Sequence, residues 1–158
     1  YVRNTSWLWL YKLAGKTQGS MFFNPAKYKA YSNSSFGTHK DEIDVAAYTA
    51  SDGKHYFLNP ANKETQNLFV ADGMDYDAST MRTTKFIPLD AVNFDLAGDA
   101  ELERMDFSKA VDKVEVTTGS VIGFENQDGR RGIMNVKISS SIYPTIQCKF
   151  QAVAKKQE

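Results

Sequence analysis

In the C-terminal third of the chain, apolar and polar residues alternate with period two. Met134, Val136 and Ile138 fall on one side of an extended segment, and Asn135 and Lys137 on the other. Ile146, Cys148 and Phe150 repeat the arrangement against Gln147, Lys149 and Gln151. Successive side chains of a strand point to opposite faces, so this pattern predicts antiparallel strands with one face on a core and one in water. Ser120–Glu125 and Arg131–Ile138 flank Asn126-Gln127-Asp128-Gly129, whose Asp-Gly pair marks a tight hairpin. Lys113–Val116 reads as a further short strand, and a last strand follows the Ser139–Pro144 connection.

Nearer the N-terminus, residues 5–13 read as a strand with Trp7, Trp9 and Tyr11 on one face and Leu8 and Leu10 on the other. Both faces are apolar, which leaves two arrangements open. The rings fill a sandwich interior and the leucines pack under a loop, or the leucines face inward and the rings form a flat platform outside. Gly15 and Gly19 bracket the polar turn that follows, and Met21–Phe36, with Phe22, Phe23, Tyr28, Tyr31 and Phe36, reads as a packed loop with short extended pieces. Ile43–Ala50 and His55–Leu58 form a predicted hairpin around Ser51-Asp52-Gly53-Lys54. A short helix is predicted over Ala61–Phe69, with Asn59 as N-cap and Pro60 at the first position. Residues 72–81 are polar and acidic and read as loop. Thr83–Leu89 is a predicted strand whose Pro88 places its end at an edge or a bulge. Helical turns are predicted at Asp90–Leu96 and Asp99–Met105. Together these elements predict a mostly β fold. It is an antiparallel β-sandwich, immunoglobulin-like or jelly-roll-like, with one or two short helices and a single domain over residues 1–158.

Composition narrows the functional classes. The 158 residues suit one domain, which at this size buries roughly 70% of its unfolded surface without needing a staple. Lys plus Arg and Asp plus Glu both number 19. A chain built to coat nucleic acid carries a basic excess, so no nucleic-acid partner is expected. The short basic clusters are Arg130-Arg131 in a turn and Lys155-Lys156 at the tail. Cys148 is the one cysteine, which excludes an internal disulfide, and its strand position makes it a core residue. No run approaches the ~20 apolar residues of a spanning helix, so no membrane-spanning segment is expected. The chain begins at Tyr1 without a signal-peptide pattern, and any export or lipidation signal is expected to lie outside it.

Candidate chemistry is sparse. His39 and His55 sit in a polar loop and a hairpin and read as solvated, and no Gly-x-Ser-x-Gly elbow accompanies them. No catalytic residue is therefore assigned. Asp72-Gly73-Met74-Asp75-Tyr76-Asp77 places carboxylates at alternate positions, as calcium sites do. The closing bidentate Glu is missing, because the next acidic residue is Asp90. A solvated acidic loop is the better reading, and neither a metal nor a cofactor is expected. A carboxylate pair for glycoside hydrolysis is a matter of spatial separation that residue counts do not define. What remains is the aromatic surplus, 13% of the chain. Trp7, Trp9 and Tyr11 are the candidate ligand-binding residues, since Trp and Tyr couple a broad apolar face to a polar tip.

Several ordered pieces of the chain carry a family resemblance. They are Ser20-Met21-Phe22-Phe23 with Tyr31, Glu42-Ile43-Asp44-Val45, Leu58-Asn59-Pro60-Ala61, Thr83-Thr84-Lys85-Phe86 and Asn93-Phe94-Asp95. The longest runs from Gly119-Ser120-Val121-Ile122-Gly123-Phe124 through Asp128-Gly129-Arg130-Arg131-Gly132-Ile133-Met134-Asn135-Val136. In these the chain resembles a class of uncharacterised extracellular β-sandwich domains of Bacteroidetes, commonly surface lipoproteins. It departs from them at Ser120, where Gly-Asp is more usual, and in its Trp-rich first strand. The resemblance implies a location outside the cytoplasm, at the cell surface or attached to the outer membrane, and transfers no catalytic residue. The expected function is a non-catalytic binding or adhesion module that recognises a glycan or another surface protein. The alternatives are an accessory or structural subunit acting through a protein–protein interface and, third, a glycan hydrolase.

Overall fold

The structure is a computed structural model that describes residues 1–139 and 143–153. Part of the Ser139–Pro144 connection and the Lys155-Lys156 pair therefore lie outside the described residues. In chain order the strands are β1 (Val2–Trp9), β2 (Phe22–Asn24), β3 (Lys29–Tyr31), β4 (Val45–Thr49), β5 (His55–Leu58), β6 (Thr84–Pro88), β7 (Lys113–Val116), β8 (Val121–Asn126), β9 (Arg131–Ile138) and β10 (Pro144–Phe150). Two helices, α1 (Lys63–Ala71) and α2 (Asp99–Arg104), interrupt them.

The strands form two five-stranded sheets, ordered β1-β10-β9-β8-β6 and β3-β2-β4-β5-β7. Every named strand pair is antiparallel. This is the predicted β-sandwich. Its interior follows from period-two patterning on both sheets. The first contributes Phe86, Ile122, Phe124, Met134, Val136, Ile146, Cys148 and Phe150, the second Phe23, Val45, Ala47, Phe57, Val114 and Val116. The hairpin between β8 and β9 turns through Gly129 at φ +76°, the left-handed conformation that Gly adopts without penalty. Pro88 closes β6 at the edge of the first sheet, where a missing N–H costs no ladder bond.

The outer faces of the two sheets are covered unequally. Over the second sheet lie α1 and the segments around Phe36, Ile43 and residues 74–81, enclosing Phe22, Phe69, Met74, Tyr76 and Met81. Residues 72–81 are thus not the solvated loop that their acidity suggests. Met74, Tyr76 and Ala78 are buried in alternation with exposed Asp75, Asp77 and Ser79, and the Tyr76 hydroxyl donates to Pro60 O at 2.6 Å. Over the first sheet the chain from Leu89 to Ala110, α2 included, packs on Ile133, Ile87 and Val121. Gly123 points outward beneath it, and a side chain there would collide with Met105.

This cover corrects the expected wet face of β10. Lys149 is fully buried and donates to the carbonyls of Phe94 and of Ala97, the latter at 2.7 Å. A lysine counted as polar in the alternation is here the peg that holds the 93–98 turn to the sheet. Two boundaries also move. The first strand begins at Val2 and ends at Trp9, because Leu10–Leu13 cross to the other sheet, where Leu13 bridges Thr49. The helix predicted from Ala61 starts at Lys63 with Asn62 as its cap. Asn59 is otherwise engaged, accepting from Ala61 N and Thr84 N and donating to Asp112.

Candidate functional site

The uncovered half of the first sheet's outer face carries the predicted aromatic residues. On β1, Asn4 and Leu8 share the inward face of their partners on β10. Asn4 pairs with Cys148 and Leu8 with Ile146, so Thr5, Ser6 and Trp7 stand opposite the single residue Gln147. Such a bulge bends an edge strand and re-aims its side chains. It is held from both sides. From within, the Tyr28 hydroxyl lies against the carbonyls of Ser6 and Ile146; from without, Gln147 Nε2 donates to Thr5 O at 2.8 Å. Tyr28 reaches this point from a left-handed backbone conformation, φ 53°, in the β2–β3 connection. Burial pushes its phenol pKa up, which keeps the hydroxyl a donor.

With Leu8 against the core and Leu10 inside it, Trp7 and Trp9 turn outward and are 42% and 50% exposed. The arrangement in which the indoles fill the interior is therefore excluded by the fold. Two outward residues of one strand lie about 6.8 Å apart, so the indoles form successive steps along β1. Tyr11, half-buried just beyond the strand, stacks on Tyr143 with centroids 4.2 Å apart and planes at 19°. Trp9 meets Tyr11 edge-on at 6.0 Å and 74°, and Tyr143 at 5.9 Å and 54°. The rings make a stepped cluster, not the flat platform expected from their spacing. Tyr143 escaped the sequence reading because it lies in the stretch read as the connection before the last strand. Across the sheet Trp9 is opposite Thr145 and Thr145 opposite Lys137, whose Nζ stands 5.5 Å from the Trp7 ring centroid. Asn135, one row along, donates to Gln147 Oε1 at 3.1 Å. Exposed ring faces bordered by amides and an ammonium can stack against an apolar surface while fixing its polar substituents.

A second cluster lies at the end of the sandwich near the β8–β9 turn. Arg82 donates from Nε to Asp44 at 2.9 Å and from Nη2 to Asp128 at 2.7 Å, and Asn126 Nδ2 donates to the other Asp44 oxygen at 2.9 Å. Burial pushes the Asp44 carboxyl pKa up, opposed by the donors on Asn126 and Arg82. Above it is a polar cleft of about 170 Å³ that also exposes Lys27, Glu42 and Arg130. Lys27 and His39 both reach Glu42, at 2.8 and 3.1 Å, and hold its carboxyl below the usual range. Asp44 precedes β4 and Asn126 ends β8, so this network joins the two sheets. Both Asp44 oxygens are already engaged, and its chemistry is that of a joint.

The remaining sequence candidates are dispersed. His39 is not simply solvated but stacked on Tyr31 at 4.1 Å, and His55 bonds its cross-strand neighbour Thr49 at 2.7 Å. Cys148 is buried between the sheets, and burial drives its thiol far above the range of a reactive thiolate. Asp72 pairs with the fully buried Lys12 at 2.5 Å, while Asp77 caps the turn at Ser79. Among the described residues no three His, Cys, Asp or Glu side chains converge as metal ligands. No helix among them is long and apolar enough to cross a membrane. Arg130 and Arg131 are likewise committed, Arg130 to Gln151 O and Arg131 to Glu125 and the carbonyls at the end of α2.

By its fold, then, the chain is a two-sheet antiparallel sandwich with an aromatic outer face at one edge. No family profile and no curated protein sequence matches it. Among solved structures it is similar to the crystal structure of a DUF4466 family protein from Parabacteroides merdae, determined at 2.00 Å resolution. The TM-score is 0.67 at 16% identity, over 92% of this chain and 52% of the other. The chain thus spans about half the length of that protein, and the likeness is one of fold. Parabacteroides is a Bacteroidetes genus, in agreement with the resemblance drawn from the sequence at that level.

Proposed function

We propose that this chain is a non-catalytic binding module on the surface of a Bacteroidetes cell, recognising glycan through Trp7, Trp9, Tyr11 and Tyr143. The observation that carries the reading is the half-exposure of two neighbouring outward indoles on a part of the first sheet that none of the other described segments covers. A large apolar ring left in water forgoes its burial energy, roughly 25 cal/mol per Å², unless a ligand supplies the missing contact. Sugar rings suit such a surface, because their C–H faces stack on indole while their hydroxyls reach groups such as Asn135 and Lys137. The extracytoplasmic setting rests on the family resemblance carried by the sequence.

Affinity electrophoresis through gels loaded with plant and microbial polysaccharides tests this reading. Retardation of the wild type by at least one polymer is expected, with loss in Trp9→Ala and in Trp7→Ala while the circular dichroism spectrum is unchanged. A wild type retarded by none of the polymers overturns it. The same rings would then serve a protein partner, as in an accessory subunit.

A further inference from the structure

We infer that the aromatic face selects an acidic saccharide, and that Lys137 is the residue that pairs its carboxylate or sulfate; this rests on the reading of the face as a glycan site. Lys137 projects from β9 in the cross-strand row Trp9–Thr145–Lys137, with its ammonium on the Trp7 ring. A cation over an indole face is held there by the ring quadrupole, which positions it beside the surface on which a sugar would stack. Among the described residues no carboxylate lies within 4.0 Å of it. Lys85 and Lys113, also on strands, are each paired, with Asp112 at 2.6 Å and Glu64 at 3.2 Å.

The surroundings add no opposing charge. The adjoining row of the sheet is Gln147, Asn135 and Val121, and contributes no charge. Beyond that row Asp95 is paired with Arg3 at 3.0 Å and Glu125 with Arg131 at 2.8 Å. Among the described residues, a ligand acid over the rings therefore meets one unpaired ammonium and the neutral amides of Asn135 and Gln147. A charge-assisted bond formed beside a stacked ring is stronger than one between groups free in water, because the ring excludes solvent from one side. A uronate carboxylate and a sulfate ester would both satisfy this geometry.

The test measures retardation in gels containing alginate, dextran sulfate or neutral dextran, for the wild type, Lys137→Gln, Lys137→Arg and Trp9→Ala. The wild type should bind alginate, dextran sulfate or both in preference to dextran. Lys137→Gln should weaken that binding up to about fivefold, the upper range for one exposed ion pair, and Lys137→Arg should retain it. Which acidic polymer binds identifies carboxylate or sulfate as the partner. Binding of dextran alone, abolished by Trp9→Ala, would overturn the acidic preference and leave the glycan face standing. Acidic-polymer binding unchanged in Lys137→Gln would overturn the role of Lys137. Binding of none of the three would overturn the preference whatever neutral polymer the face takes. All variants change outward side chains, and circular dichroism spectra unchanged at the assay temperature confirm that binding and not folding is being read.

Discussion

Lys149 shows how one buried charge can organise a surface. Its side chain rises from near the C-terminal end of β10, is closed off by Phe94 and Tyr1, whose rings lie 4.8 and 5.6 Å from the ammonium, and ends on two backbone carbonyls. Among the described residues no carboxylate lies within ion-pair distance. Burial, assisted by the nearby charge of Arg3, lowers its pKa below the ordinary lysine value of 10.5. The sign of the consequence is fixed by linkage. The unfolded chain holds this proton more tightly than the folded one, so the group favours folding above its unfolded pKa and loses that contribution as pH falls through the folded pKa. As pH rises over the range just below 10.5, wild-type stability should therefore rise relative to Lys149→Met, whose position does not titrate. Urea denaturation of the two proteins side by side cancels the alkaline titration of the tyrosines. A difference that stays flat across this range would mean that the ammonium is solvated in the folded protein.

At the level of elements, the cover over the first sheet is held by two cations, Lys149 at the 93–98 turn and Arg131 at the C-terminal end of α2. From β9 the Arg131 guanidinium donates to the carbonyls of Leu102, Glu103 and Met105 and lies on the Phe107 ring at 4.8 Å. Carbonyls left over at a helix end favour a cation for both hydrogen bonding and the helix dipole. Arg131→Met should cost about 2 kcal/mol. Amide exchange should accelerate over residues 94–107, while the β8–β9 ladder stays protected; acceleration spread evenly over the sheet would refute a local clamp. None of this was legible in the sequence, where Arg130-Arg131 is a basic pair in a turn. Elements whose contacts are local were legible. The β8–β9 hairpin follows from Asp128-Gly129, and β5 and β7 fall at the predicted residues. Errors arose where a side chain answers a distant partner. Asn59 gives its oxygen to Thr84 and leaves the capping of α1 to Asn62, and Lys149 passes for a wet residue because its carbonyl partners lie 55 and 52 residues away in another segment. The aromatic site was legible as to residues but not as to face, since a strand apolar on both sides does not declare which side is inward.

Across the whole molecule, layers account for where the indoles end up. The second sheet is enclosed by the first on one side and by α1 with the 74–81 segment on the other. The first sheet has the same interior, but its cover from Leu89 to Ala110 reaches only part of the outer face. Trp7 and Trp9 occupy the remainder. If they were structural rings, their loss would resemble that of the buried Phe57, for which truncation to Ala should cost about 3–5 kcal/mol. Half-exposed rings on an edge strand lose only part of that contact, so Trp7→Thr and Trp9→Thr, which keep a strand-favouring residue, should each cost about 1–2 kcal/mol. The double variant should stay folded with an unchanged denaturant slope, since the surface exposed on unfolding is nearly the same. Its urea midpoint should lie well above that of Phe57→Ala. A double variant less stable than Phe57→Ala would show that the rings act as a lid over the top of the sandwich, and the case for an outward-facing binding surface would lose its physical basis.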